Sequence, residues 1–598
     1  MNDISPNFLP DKNLSLSQRL WQMTACDDRL ALTFSQRHDI PLILGKILSC
    51  RGLTLDNVDL FLKPSLKTAL PNPSDFKDLD LGVDRVVLAL KNKEKVAIFG
   101  DYDVDGATSS AILYQYLSKI GLDVTVYIPD RIQEGYGPNI SALEKLSRQG
   151  IKLVITVDCG MTAFDALAAA QDMGLEVIVI DHHMPETAFP KALAVINPNR
   201  LDEEGGFGYL AAVGVCFIFL VGLNRTLREQ NFFKQGNAPD LLSLLDLVAL
   251  GTVCDVVPLK GLNRAFVTQG LKIAASRQNL GLKTLMDISA VHEKVSTYHL
   301  GFMLGPRINA GGRVGEANLG IRLLTTTRST EAQEISQRLD SFNRERQEIE
   351  QYVLQEATVQ AEGQVGPLLV LHGLNWHAGV IGIVAGRLKE RFNRPILIIS
   401  IDEQGIGKGS GRSISTIDLG VLIHAAKNKG ILVAGGGHAM AAGFSIESSK
   451  INDLRLFLQE RILHSQADLT PCLKIDGTLS LKGTTSDFVK TLEKLAPYGQ
   501  GNPTPRFVFE NVRVVKPALV GQDHVRCLLT SDDGGRVSAI SFRCLNTPLG
   551  DALLNSKGEQ IHVVGTLKLD SWMDQERVQL TIEDAIFSRP MLRSAMGS

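Results

Sequence analysis

From Lys95 onward the chain alternates short β-branched runs with helical stretches, and an acidic residue closes run after run. Val96–Phe99, Val124–Ile128, Leu153–Val157 and Val177–Ile180 have the length and composition of strands. Helix-spaced apolar residues fill the gaps, at roughly 107–120, 139–149 and 163–173. Parallel neighbours need a crossover, and a helix supplies it. The rhythm therefore implies an α/β fold built on an open, mainly parallel sheet with helices on both faces.

Such a sheet presents the carboxyl ends of its strands to one crevice, where ligands bind. Asp101, Asp103 and Asp105 stand at alternate positions directly after the first run, and Asp158 ends the third. Asp181, His182 and His183 end the fourth, and Asp255 follows the apolar, helix-like run Leu247–Val253. Taken singly, an aspartate after a strand is a helix cap or turn residue, and a His-His pair is a packing feature. Taken together, carboxylates so close repel one another and lose hydration unless a cation compensates them. An oxygen-rich donor set with one or two imidazoles and no cysteine suits Mn²⁺ or Mg²⁺. A carboxylate shared between two cations suits two-metal phosphoryl chemistry.

The rest of the chain divides where its pattern changes. Residues 1–75 are an N-terminal helical segment, with apolar helix spacing at Ile40–Cys50 and Leu55–Leu62 before Pro64, Pro71 and Pro73. The sheet domain spans 76–328. Residues 329–363 form one long connector helix opened by a capping box, Thr330–Gln333, with a coiled-coil partner as the alternative. A second, smaller α/β domain covers 364–468, and alternating runs in 469–590 predict an OB-like β-barrel.

With 598 residues the chain is too long for a single core. Its formal net charge of −3 is unlike that of a small DNA-binding module. The total conceals a local excess, however. Between Ile383 and Arg412 lie Arg387, Lys389, Arg391, Arg394, Lys408 and Arg412 against Glu390, Asp402 and Glu403. Arg307, Asn309 and Arg313 sit in one glycine-rich stretch, Ser410 and Arg412 in another, and His438 follows three glycines. Guanidinium groups bind phosphate bidentately and glycines let backbone approach it, so these are the candidate substrate contacts. The eight cysteines are scattered with no C-x-x-C pair, as in a reduced cytoplasmic protein. No apolar h-region occupies Met1–Pro10, and Leu210–Leu223 is too short to span a bilayer, so no membrane role is expected.

Asp101-Tyr-Asp-Val-Asp-Gly106, Val157-Asp-Cys-Gly160, Asp181-His-His183 and Gly251–Pro258 resemble, in order, the core motifs of the DHH phosphoesterases. Ile128–Arg131 with Glu134–Gly137, Leu304–Arg313 and Gly435–Phe444 are similar to the RecJ-type exonucleases of that family, the last being the mark of the DHH-associated domain. The resemblance implies a 5′→3′ exonuclease on single-stranded DNA that releases 5′-mononucleotides with Mn²⁺ or Mg²⁺, in DNA repair and recombination. It implies that Asp103 and Asp158 hold one metal, and that Asp105, Asp158, His182 and Asp255 hold the other. Asp101 and His183 would support the site, His183 near the scissile phosphate, and Arg131 would meet the 5′-terminal phosphate. A single-strand-binding protein and a helicase are the implied partners. One position departs from the pattern: where many members have a metal-binding histidine this chain has Phe99, which implies a looser first metal.

Two other functions fit parts of this pattern. One is a DHH hydrolase of short oligoribonucleotides, cyclic dinucleotides or pyrophosphate, for which the barrel and N-terminal region are superfluous. The other is an inactive scaffold that holds single-stranded DNA, which the intact set of aspartates opposes.

Overall fold

The four β-branched runs become strands Lys95–Gly100, Asp123–Tyr127, Ile151–Val157 and Glu176–Ile180 of one parallel sheet, which a short strand, Ala194–Ile196, completes. In this computed structural model residues 14–130, 134–233, 238–556, 558–572 and 575–588 are described. Side chains alternate between two cores. Val96, Ile98, Ile155 and Ile178 pack on one face, and Ala97, Phe99, Val154 and Val177 on the other. Burial on both faces is why these runs read as continuously apolar. Counted in chain order, the strands lie 2-1-3-4-5 across the sheet. The order reverses between Lys95–Gly100 and Ile151–Val157, which makes the cleft above their carboxyl ends the topological switch point.

Helix Ala212–Glu229 absorbs the long apolar run and is buried through most of its length. Among the described residues no helix is long and apolar enough to cross a membrane. The glycine-rich stretch expected to cradle phosphate is instead helical, Gly305–Val314. Its glycines serve close packing: a Cβ on Gly312 would stand 3.0 Å from the Tyr102 carbonyl oxygen.

The connector is a helix of 34 residues, Ser329–Glu362, about 50 Å long at 1.5 Å per residue. Ala332, Ile335 and Leu339 enter the core of the first domain, while Val353, Ala357 and Ala361 enter that of the second. The expected capping box does not form. Arg328 is the N-cap residue without a side-chain cap, Thr330 lies inside the first turn, and Glu331 turns back to Thr326 and Arg328. Beyond it, strand order 434–438, 441–447, 406–412, 396–401, 369–374 builds a second, mostly antiparallel sheet.

Compact units do not follow the sequence divisions. Pro64–Leu469 forms one unit, and residues up to Lys63 join those from Thr470 onward in the other. Strand Leu20–Met23 pairs in parallel with Cys472–Ile475. Phe34, Leu44, Leu48 and Phe61 share a core with Phe507, Phe509 and Val563 of the barrel. The two phenylalanines that open the first barrel strand are thus interior packing. The barrel closes through antiparallel pairing of Phe507–Val520 with Gln560–Trp572 and parallel pairing of Arg536–Ser541 with Gln575–Phe587.

Candidate active site

All seven acidic and imidazole groups picked out as ligands or supports meet at the switch point in three overlapping triads. These are Asp101, Asp103 and Asp158; Asp105, His182 and Asp255; and Asp158, His182 and His183. Within each triad the candidate donor atoms lie within 4.8 Å of one another. His182 Nε2 is the hub, 3.4 Å from Asp158 Oδ1, 3.6 Å from Asp255 Oδ2 and 3.9 Å from Asp105 Oδ2.

Each group is aimed by its own element. Asp103 caps the helix Val104–Lys119, accepting from the Gly106 amide at 3.1 Å, so the cap function exists beside the ligand function. Asp158 has φ of 59°, a left-handed conformation that aspartate tolerates and that turns its carboxylate back over the strand end. Asp105 accepts from the amides of Ala212 and Val213 at 2.7 and 3.0 Å, which caps the buried helix that begins there. Gly251 permits this approach, because a Cβ there would lie 2.3 Å from Thr108 Oγ1 and 3.0 Å from Asp105 Oδ1.

The histidines are oriented from behind. His182 Nδ1 lies 3.0 Å from the Leu210 carbonyl oxygen, so that nitrogen carries the proton and Nε2 faces the carboxylates with its lone pair. His183 Nδ1 lies 2.7 Å from Asp181 Oδ1, and Asp181 also accepts from the His182, His183 and Met161 amides. Tyr136 donates to the Asp158 carbonyl oxygen at 2.8 Å. Sequence reasoning missed Asn197 and Asn199, whose amides donate to the His183 and His182 carbonyl oxygens at 2.8 and 2.5 Å. Both follow the fifth strand, Ala194–Ile196, whose three residues leave little periodic signal in the sequence.

The electrostatics are those of a site that wants cations. Burial, reinforced by the neighbouring carboxylates, pushes Asp158 and Asp255 well above the ordinary carboxylate range, and Asp105 to about 7. Burial and the adjacent His183 lower His182 to about 4, which keeps it neutral. Burial opposes the His183 cation, but its bond to Asp181 outweighs that and raises it. The same bond takes Asp181 down to about 2 against its own burial. Asp158 Oδ1, His182 Nε2 and Asp255 Oδ2 are buried with no hydrogen-bond partner among the described residues. Buried polar atoms are normally satisfied, and three unsatisfied ones converging on one space fit a divalent cation.

The chain matches the DHH family, N-terminal domain, over residues 95–252, the DHHA1 domain over 365–463 and the RecJ OB domain over 475–584. It is 33% identical to a single-stranded-DNA-specific exonuclease RecJ of Bacillus subtilis, covering 97% of this chain and 72% of the relative. It is also 33% identical to that of Salmonella typhimurium, covering 91% and 96%. The chain belongs to the RecJ family. The RecJ of Thermus thermophilus in complex with Mn²⁺ superposes with a TM-score of 0.79 at 27% identity, over 94% of this chain and 79% of that one. The Mg²⁺ complex of the same protein gives 0.73 at 26% identity.

The remaining candidates of this RecJ-family chain are distributed unevenly. Arg131 lies outside the described residues. Arg307 is committed inward, with Nε donating to Asp340 at 2.9 Å and a terminal nitrogen to the Met303 carbonyl oxygen at 2.6 Å. The helical stretch turns this side chain onto Asp340 of the connector helix. Arg313 donates to the Gly379 carbonyl oxygen, joining the first domain to the second lobe. Asn309 is half-buried on the same helix. Ser410 and Arg412 lie together on strand Ile406–Arg412, with the guanidinium folded over the Ser410 hydroxyl at 3.3 Å. His438 is exposed and lines a groove of about 560 Å³ with His424 and the start of helix Leu419–Asn428. Phe99 is fully buried, stacked on Tyr127 at 5.2 Å, so no fourth acidic or imidazole donor enters the first triad from there.

Proposed function

We propose that this chain is a metal-dependent exodeoxyribonuclease that degrades single-stranded DNA in the 5′→3′ direction and releases 5′-mononucleotides. The convergence of unsatisfied Asp158, His182 and Asp255 atoms is the observation that carries the metal chemistry. The polymer substrate rests on relatives whose names specify single-stranded DNA over nearly the whole chain.

In this reading Asp103 and Asp158, with Asp101 grouped beside them, hold one Mn²⁺ or Mg²⁺, and Asp105, Asp158, His182 and Asp255 hold the other. Bound there, the ions supply Lewis-acid polarisation of the phosphate and a nucleophilic water at neutral pH. The chain's own residues do the rest. Asp181 holds His183 in one orientation and favours its protonated form, an N–H donor suited to the phosphoryl oxygens on which charge develops. Tyr136 stiffens the loop that carries Asp158. Arg313, Ser410, Arg412 and His438 grip the backbone phosphates, and Asn309 and Arg131 the strand end. Arg307 acts by fixing the helix on which Asn309 and Arg313 sit.

A nuclease confined to single strands depends on a helicase to open duplexes, and it shares its substrate with single-strand-binding protein. Both are its proposed partners in DNA repair and recombination in the cytoplasm. Neither a small oligoribonucleotide or cyclic dinucleotide substrate nor an inactive scaffold is favoured by any observation. The decisive experiment is degradation of single-stranded DNA labelled at the 5′ or the 3′ end, with Mn²⁺ or with EDTA. Immediate release of 5′ label as mononucleotide is expected only with the metal. First release of 3′ label, or action on cyclic dinucleotides alone, would sink the reading.

A further inference from the structure

Tyr298 and Phe302 leave most of their rings in solvent, 60% and 73% exposed. The two rings stack on each other, centroids 5.3 Å apart and planes 25° from parallel. Both project from a helix in which His299–Leu304 makes a π-helical turn. Such turns are rare and collect at functional sites.

The turn is anchored on both sides. His299, between the two aromatics, is buried, with Nδ1 accepting from the Ser296 amide at 3.0 Å and Nε2 lying 3.1 Å from Glu293. On its other side the turn packs against the end of helix Leu245–Cys254, whose last residue donates its thiol to the Leu300 carbonyl oxygen at 3.4 Å. The next residue is Asp255, at the metal centre. Val256 follows, exposed and with φ of 61°, a conformation that a β-branched residue adopts only under constraint. The exposed aromatics thus stand on a turn packed against the helix end that leads directly into Asp255 and the constrained Val256.

We infer that Tyr298 and Phe302 form a stacking platform for the bases of the single strand bound at the adjacent metal centre. This rests on the exonuclease reading and extends it to the substrate's bases. Stacking suits an enzyme that must accept any sequence, since every base has a π-face. The island is also too small for a protein partner: two rings present about 150–250 Å² each, against roughly 800 Å² per side in a stable interface.

Two measurements test it. The first is quenching of 2-aminopurine in an oligodeoxythymidylate strand, read in EDTA so that nothing is cleaved. The second is steady-state degradation, with Mn²⁺, of an intact strand and of one carrying abasic positions. In the wild-type chain quenching is expected, along with discrimination of about tenfold in KM against the abasic strand, equal to about 1.4 kcal/mol. Phe302→Ala with Tyr298→Ala should abolish both and leave kcat within about twofold, and Phe302→Trp should restore them. A double variant that quenches and discriminates like wild type overturns the platform, as does one that loses kcat alone. A wild-type chain that quenches through these rings yet degrades no strand would overturn the exonuclease reading and leave the platform standing.

Discussion

The two sheets of the larger unit face their ligands in opposite ways. The parallel sheet ends in buried groups that its own fold leaves unsatisfied, with Asp158, His182 and Asp255 pointing bare atoms at one another. The mostly antiparallel sheet presents guanidinium and hydroxyl groups that already have partners, such as Arg412 over Ser410. The first arrangement costs stability until cations arrive, while the second is complete without its ligand. In the proposed reading, chemistry is placed where the fold stores unfavourable electrostatics, and grip where side chains can exchange one partner for another.

The largest expected effect tests that storage. Asp158→Ala removes a donor common to both sets and should lower exonuclease activity by on the order of 10³-fold or more, the several kcal/mol that metal polarisation supplies. It should also abolish stabilisation by Mn²⁺ in thermal melts. Activity within a few-fold of wild type would break the comparison.

Asp181→Asn keeps the shape of the group behind His183 but loses its charge. Activity should fall about 10- to 100-fold, as for other groups that orient metal-site histidines. The His183 resonance followed by NMR should titrate at lower pH than in wild type.

The gripping sheet should respond more weakly. Arg412→Ala is expected to raise KM for single-stranded DNA about tenfold with little change in kcat, the worth of one charge-assisted hydrogen bond. Arg307→Ala should do the reverse, leaving KM nearly unchanged and lowering the melting temperature, because its partner is Asp340. If Arg307→Ala raised KM as much as Arg412→Ala, the division between structural and substrate-facing arginines would fail.

The smallest effect is in pH. Asp105, Asp158 and Asp255 have folded-state pKa values raised above the unfolded value of about 4. Their contribution is therefore present below pH about 4 and is lost as pH rises through the folded values, about 7 for Asp105. Metal-free protein should lose stability over that interval, so the rise in melting temperature on adding Mn²⁺ should be larger at pH 8 than at pH 5. A shift that shrinks with rising pH would contradict the stored repulsion.

Much of this site was legible along the chain. Asp101, Asp103, Asp105, Asp158, His182 and His183 could be placed in one crevice because strand ends in a parallel sheet all face one way, and a local pattern suffices to find strand ends. The connector helix and the barrel strands were legible for the same reason, since both are periodic patterns in continuous sequence. Asn197 and Asn199 escaped because the strand before them, Ala194–Ile196, is too short to leave a periodic signal.

What the sequence by itself determined is which residues end up on which face: alternation sets the sheet, and the sheet sets the crevice. Tertiary structure alone decided partnership. The glycines of 305–312 could have cradled a phosphate, but they let a helix press against Tyr102 and Cys254 instead. Residues up to Lys63 could have stood apart, yet Leu20–Met23 pairs with a strand some 450 residues away and Phe34 fills the core of the barrel. Periodicity is a property of neighbours in sequence, whereas burial and charge pairing depend on which distant surface closes over a side chain, and no local pattern carries that information.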